Sequence, residues 1–225
     1  MTALNDVPQR YLVTGALGCI GSWVVRTLLN DGAAVVAFDA STDDHRLRVA
    51  LAGSRTDGLT RIQGDITDAA MVERVVVDHA IEAIIHLAAL QVPAVAARPV
   101  LGAQVNVVGT AVILESAARV ELRGPLAYAS SIAVYDAADA GVQGHGDLGG
   151  HAATLYGVYK RANEGAAAVY WADRGVASIG LRPYIVYGPG RDFGLTSAPT
   201  VAMGAAARGE GIHITFGGIY RMQYV

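Results

Sequence analysis

The sequence predicts an α/β protein built on a doubly wound parallel sheet, followed by a small C-terminal part that reads as an incomplete substrate-binding unit. Three observations predict it. Short apolar runs alternate with helix-period segments along most of the 225 residues. Several of those runs are apolar throughout, as strands covered on both faces are. A glycine-rich turn links the first run to the first helix.

The elements follow in order. Arg10 to Thr14 reads as the first strand and Ile20 to Asp31 as its helix. Ala34 to Asp39 and Thr60 to Asp65 are the second and third strands, with a helix over Ala69 to His79. Ala83 to Ala88 is the fourth strand. Val100 to Val120 is a long helix, and Gly109 inside it signals close packing. Pro125 to Ser130 is the fifth strand, Leu155 to Gly175 a second long helix, and Ala177 to Val186 the sixth strand. Ala137 to Thr154, rich in Gly, Ala and Asp, is expected to be a loop beside the site. After Gly188 the pattern changes, with a helix around Pro199 to Arg208. The expected boundary therefore falls between 1–187 and 188–225.

Composition narrows the function. Apolar residues make up 52% and charged residues 16%, with 27 glycines, which suits a tightly packed globular enzyme. A net charge of −3 offers no basic footprint for nucleic acid and no polybasic membrane anchor. Mean hydropathy of +0.35 raises the question of a membrane span. The most apolar stretch, Ala80 to Val100, is interrupted by Glu82, His86, Gln91, Pro93, Arg98 and Pro99, so no span is expected there. Met1 to Tyr11 carries Asp6 and Pro8 and has no signal-peptide core. Cys19 is the only cysteine, which precludes an internal disulfide and a cysteine-based metal site. A soluble, cytoplasmic protein without a metal is expected.

The chemistry starts at the glycine turn. In Thr14-Gly15-Ala16-Leu17-Gly18-Cys19-Ile20-Gly21, Gly15 permits the turn, Gly18 lets backbone approach a pyrophosphate, and Gly21 lets the helix sit close to the sheet. The helix start then offers N–H groups and a partial positive charge to phosphates. Asp39, closing the second strand, can accept from both ribose hydroxyls and would repel a 2′-phosphate. NAD is expected rather than its 2′-phosphorylated counterpart.

A second set of residues carries the reaction. Tyr156 and Lys160 lie at i and i+4 on one face of a predicted helix. A phenol is a poor base at neutral pH, and a nearby ammonium favours its ionised form. Tyr156 could then take a proton from a substrate hydroxyl while hydride leaves the same carbon. Tyr159 points elsewhere on the helix. Ser130 and Ser131 close the fifth strand, at the edge where such sheets bind ligands. No Gly-x-Ser-x-Gly elbow is present, so a serine hydrolase is not indicated.

These motifs together resemble one family. The Gly-x-x-Gly-x-x-Gly spacing, Asp65-Ile66, His86-Leu87-Ala88-Ala89, Asn106 with Gly109-Thr110, Ser130-Ser131 with Val134-Tyr135, Tyr156 with Lys160, and Leu181 to Pro189 occur in the order of the extended short-chain dehydrogenase/reductases. The resemblance is to their NAD-dependent epimerase/dehydratase branch, of the UDP-glucose 4-epimerase type, whose sheet is Rossmann-like. It implies Ser131, Tyr156 and Lys160 as catalytic residues, with Lys160 also bonding the nicotinamide ribose. It implies cofactor contacts at Gly15, Gly18, Cys19, Ile20, Gly21, Asp39, Asp65, Ile66, Leu87, Ala88, Ala89, Gln91, Asn106, Tyr156, Lys160 and Pro183. His86 reads as a core histidine rather than a catalyst, and Cys19 as a small apolar filler.

Departures from the family pattern refine the expectation. Where 4,6-dehydratases carry an Asp-Glu pair, this chain has Ile132-Ala133, neither of which moves a proton, so dehydratase activity is not expected. Ile185 replaces an asparagine that contacts the sugar diphosphate in many members, and Tyr220 stands where a diphosphate-gripping arginine would align. Arg191 could serve an anionic substrate instead. The resemblance implies an NAD-dependent epimerase or oxidoreductase acting on a secondary alcohol of a sugar, nucleotide sugar or polyol. It also implies a homodimer through the two long helices. The alternatives are a simple dehydrogenase of a non-nucleotide substrate and a non-catalytic NAD-binding protein.

Overall fold

The computed structural model describes residues 9–135, 152–194 and 196–213. Six parallel strands form one sheet: β1 Arg10–Thr14, β2 Ala34–Asp39, β3 Leu59–Gln63, β4 Ala83–His86, β5 Leu126–Ala129 and β6 Ser178–Leu181. Their order across the sheet is β3-β2-β1-β4-β5-β6. The chain runs outward in one direction from β1 through β2 and β3, then returns to β4 on the other side of β1. That reversal opens a crevice at the carboxyl edge between β1 and β4, where open sheets of this kind bind ligands.

Alternating strand residues explain the double winding. Leu12, Val36 and Phe38 face one side, packed with Val72, Val75 and Val76 of helix α3 (Ala69–Asp78) and Ile113 and Leu114 of α6 (Gly109–Arg119). Val13, Val35 and Ala37 face the other, against Val25 and Leu29 of α1 (Cys19–Asn30) and Leu47 of α2 (His45–Leu51). Both faces of the inner strands are apolar because both are roofed by helices.

Several boundaries differ from expectation for identifiable reasons. The sixth strand ends at Leu181 rather than reaching Val186, because Pro183 has no N–H for the ladder. The fourth ends at His86, and Leu87 to Ala89 turn away to line the crevice. Two short helices, α2 and α4 (Val92–Ala97), escaped the sequence pattern because neither completes two helical turns. The expected helix from Val100 is observed as α5 (Pro99–Ala103), a π turn (Gln104–Val108) and α6, continuous over 21 residues. That helix is long and apolar enough to cross a membrane by length and composition alone, yet half of its most apolar stretch is buried inside the protein. Its packing against α3 and α7 (Leu155–Arg174) is that of a core helix. Gly109 lies in it against Ile66, whose Cγ2 a methyl group there would meet at 2.7 Å. The last described helix is α8, Ala198–Ala207. The loop expected over Ala137 to Thr154 lies outside the described residues up to His151.

Candidate active site and cofactor cleft

A cleft of about 760 Å³ follows the carboxyl edge of the sheet. The glycine turn forms its floor. Gly15 has φ +67°, in the left-handed region, and a Cβ there would come within 2.7 Å of the Leu87 carbonyl carbon and the Ala88 nitrogen. At Gly21 a Cβ would meet the Gly15 carbonyl oxygen at 2.2 Å, so only glycine lets α1 start this close to the turn. No side chain caps α1 at Gly18, and residues 18–21 line the cleft. The helix N-terminus therefore faces a space able to take a phosphate.

Asp39 is held in place before any ligand arrives. Its Oδ2 accepts the Leu17 N–H and its Oδ1 the Ser41 N–H, both at 2.9 Å. Each oxygen keeps a further lone pair for a ribose hydroxyl. Asp65 and Ile66 lie on the same side, with Asp65 Oδ1 accepting from the Thr67 N–H and hydroxyl. Leu87, Ala88, Ala89 and Gln91 form the wall after β4, and Pro183 the wall after β6. Cys19 and Ile20 also border the cleft.

Asn106 stands apart from the other expected contacts. It is buried in the π turn and does not line the cleft. Its Oδ1 accepts the Leu90 N–H at 2.7 Å and its Nδ2 donates to the Leu90 carbonyl at 2.9 Å. Each end of the amide bonds Leu90, so Asn106 fixes the wall of the cleft from behind. The π turn is the local distortion that accompanies this reach.

Ser131, Tyr156 and Lys160 converge at the other end of the cleft. Ser131 starts a short 3₁₀ turn (Ile132–Val134), where its Oγ accepts the Ala133 N–H. Its hydroxyl faces the Tyr156 phenol closely enough to pull the phenol's pKa down. The Lys160 ammonium lies 5.6 Å from the centre of the Tyr156 ring and donates to the Ala129 carbonyl at 2.6 Å. Thr154 caps α7 by accepting the Gly157 N–H, and Gly175 closes it in the left-handed region.

Gly157 brings these groups together, a role the sequence pattern did not single out. A Cβ on it would lie 2.0 Å from the Ala133 carbonyl oxygen. The start of α7 thus rests directly on the turn that carries Ser131. Gly157→Ala must lift Tyr156 from Ser131, and a displacement of that size costs on the order of a hundredfold in rate. Steady-state kinetics alongside a thermal melt would separate this loss from unfolding.

Electrostatics here differ from the simple expectation. Burial holds the Tyr156 phenol above its ordinary pKa, while the Ser131 hydroxyl and the Arg191 charge pull it down. Lys160 does not contribute to that downward pull: burial lowers its own pKa to about 8. An ammonium spent on the Ala129 carbonyl and stripped of water is a weaker partner than the i, i+4 spacing suggested. His86 is the core histidine expected. It bridges Thr14 and Thr110, and burial with the Lys160 charge pushes its pKa down to about 3.

Several residues that shape the site were not anticipated. Arg182 grips Glu164 with two bonds, Nε to Oε1 at 2.8 Å and Nη2 to Oε2 at 2.7 Å, and also donates to the Tyr135 hydroxyl. Glu164 in turn accepts from the Ser130 hydroxyl, which anchors the end of β5 beneath Ser131. Arg46, Ser41 and Asp43 line the cleft beside Asp39. Arg191, which the sequence offers for an anionic substrate, enters from the segment after β6: Nη2 donates to Thr196 at 2.7 Å, Nη1 to Gln91 at 3.5 Å, and the buried Nε lacks a partner among the described residues. Long-range pairs such as Arg46 with Asp192 leave no sequence signal.

A glycine turn under a helix start, an acid at the end of β2 and a Ser-Tyr-Lys cluster in one cleft are what the epimerase resemblance implies. The sequence profile of the NAD dependent epimerase/dehydratase family matches residues 11–225. The chain belongs to that family. Its relatives include UDP-glucuronate 4-epimerase 1 of Arabidopsis thaliana, 31% identical over 184 residues, covering 79% of this chain and 42% of that protein. This chain thus spans less than half of that relative's length. Among solved structures, the UDP-glucose 4-epimerase of Thermus thermophilus in complex with NAD aligns with a TM-score of 0.77 at 27% identity, covering 90% of this chain and 64% of that one. The UDP-glucose 4-epimerase of Thermotoga maritima with UDP-glucose aligns with a TM-score of 0.77 at 26% identity, covering 96% and 69%.

The cofactor of the family is NAD, and the residues present fit it. Three glycines leave the space that side chains would fill, and a preset carboxylate faces the ribose end. Ile132 and Ala133 line the cleft where a dehydratase needs proton-transfer groups, and Ile185 is buried there too. Tyr220 to Val225 lies outside the described residues.

Proposed function

We propose that this chain is the cofactor-binding portion of an NAD-dependent epimerase or dehydrogenase, acting on a secondary alcohol of a sugar, nucleotide sugar or related polyol. One observation carries the reading: Ser131, Tyr156 and Lys160 share a cleft with the glycine turn and Asp39. NAD, when bound, accepts and returns the hydride. The ionised Tyr156 oxygen takes the alcohol proton as the carbon is oxidised, and the resulting phenol gives it back on reduction. The Ser131 hydroxyl orients the reacting oxygen and stabilises charge growing on it. Lys160 keeps a positive charge behind the Tyr156 ring. The apolar pair Ile132-Ala133 supplies no acid or base for water loss.

On this reading residues 1–187 hold the cofactor and 188–225 begin a substrate-binding part. A cytoplasmic homodimer fits the lone cysteine and the exposed Val158, Val169 and Trp171 on α7. Arg191 favours a substrate carrying an anionic group beside the reacting alcohol, since it lines the cleft and its charge reaches the Tyr156 phenol. Arg191→Met is expected to raise KM for an acidic sugar substrate about tenfold, with a smaller effect on a neutral one.

The test starts with the purified protein. Absorbance and NADH fluorescence report any cofactor carried through purification, and UDP-glucuronate, UDP-glucose, free sugar acids and polyols are then supplied in turn. Inversion at a carbinol without added NAD marks an epimerase. NADH accumulation with stoichiometric NAD use marks a dehydrogenase. Cofactor binding without turnover of any of these would sink the catalytic reading in favour of an NAD-binding protein.

A further inference from the structure

The structure assigns Asp192 a role in cofactor choice: we infer that it closes the adenosine end of the cleft to a 2′-phosphate by neutralising Arg46. The inference rests on the reading of the cleft as a dinucleotide site. Arg46 sits in the first turn of α2, the helix that follows β2 and its terminal Asp39. It lines the cleft with Asp39, Ser41 and Asp43. A cation there is well placed to hold a phosphate on the ribose that Asp39 reads.

Arg46 is already occupied. Its Nε and Nη2 both donate to Asp192 Oδ1, at 2.9 and 2.6 Å. Asp192 Oδ2 is 2.7 Å from His45 Nε2, and His45 Nδ1 is 3.0 Å from Asp43 Oδ1. One carboxylate, arriving from the segment after β6, thus takes up both basic side chains at the start of α2. Among the described residues, Arg46 faces Asp43, His45 and Asp192, with Asp39 nearby on the same wall and Arg191 lining the same cleft. Three carboxylates against two arginines and one histidine leave no net positive charge for a phosphate. A 2′-phosphate would have to displace Asp192 from Arg46 and lie beside Asp39 as well. The free ribose hydroxyls of NAD meet neither obstacle.

Asp39 alone therefore does not account for the discrimination. Asp192 adds a second carboxylate from a distant part of the chain, immediately after Arg191. The segment is held against α1 independently, by the Trp23 Nε1–H bond to the Pro189 carbonyl at 2.8 Å. Removal of the Asp192 charge therefore leaves an anchor in place.

Binding of NADH and NADPH to the purified protein, read by fluorescence titration at fixed salt, tests the assignment. Asp192→Asn keeps the shape and removes the charge. The expected result is NADPH binding tightened at least about tenfold, NADH binding changed less than about threefold, and the gain abolished in Asp192→Asn/Arg46→Met. Arg46→Met alone is expected to leave NADPH affinity unchanged, because Asp192 already occupies the arginine. An unchanged NADPH:NADH ratio in Asp192→Asn, parallel weakening of both, or a gain that survives the double substitution would overturn the proposal. Failure of the natural protein to bind NADH at all would instead overturn the dinucleotide reading beneath it.

Discussion

Tyr156→Phe is expected to lower turnover by a factor of about a thousand while leaving NADH binding within about threefold of the natural protein. The substitution removes one hydroxyl and keeps the ring over which the Lys160 ammonium sits. Ser131 loses a facing hydroxyl but retains the Ala133 N–H, so the 3₁₀ turn that carries it stays formed. The cofactor contacts through the glycine turn and Asp39 lie at the other end of the cleft and are untouched. Pre-steady-state hydride transfer followed by NADH absorbance, together with NADH titration, is the measurement. Turnover that persisted in the variant would remove Tyr156 from the role of acid and base. Joint loss of turnover and cofactor affinity would mark it as a structural residue.

The pH profile carries the same claim further. In the direction that oxidises alcohol, the ionised phenol is the reactive form, so the rate should climb as pH rises through the Tyr156 pKa. Burial sets that pKa above its ordinary value, and the Arg191 charge is one of the two influences that lower it. Arg191→Met should consequently move the rising limb toward higher pH in addition to its effect on KM. A limb that stayed in place would show that Arg191 does not reach the phenol electrostatically.

The residues that made the fold legible are those whose side chains answer to local rules. Gly15, Gly18 and Gly21 are required by a turn and a close helix start, and Asp39 by its place at a strand end. The strands were legible because apolar runs covered on both faces stand out from their surroundings. Ser131, Tyr156 and Lys160 were named through the family resemblance, since a strand-end serine and an i, i+4 pair by themselves are too common to single out. Gly157 was not readable: its need arises from the Ala133 carbonyl, which belongs to a segment more than twenty positions earlier. Asn106 meets the same limit, since a polar residue near a cofactor looks the same in sequence whether it lines the cleft or fixes the wall behind it. The Arg46–Asp192 pair and the Arg182–Glu164–Ser130 chain depend on contacts between distant segments, which no local pattern encodes.

Lys160→Met should stabilise the cofactor-free protein by about 1–2 kcal/mol at neutral pH, even as it removes turnover. The argument is one of linkage. Lys160 is only 4% exposed, and burial lowers its pKa from 10.5 to about 8. Between those two values the unfolded chain binds the proton and the folded chain does not, so stability rises with pH across that window. Below about pH 8 both states are charged, and the folded protein bears the full cost of the buried ammonium, about 3 kcal/mol by the size of the shift. Methionine fills similar volume without a charge to bury. Against that gain stands the Ala129 carbonyl, which loses its donor at a cost of about 1 kcal/mol or more. Chemical denaturation at neutral pH and again near the upper end of that window would expose the pattern: a stability gap favouring Lys160→Met at the lower pH that narrows as pH rises. A gap that did not change with pH would mean the ammonium is not strained by burial. If the gap narrows while the variant fails to transfer hydride, the protein tolerates a destabilising charge in its core because that charge serves the reaction beside it.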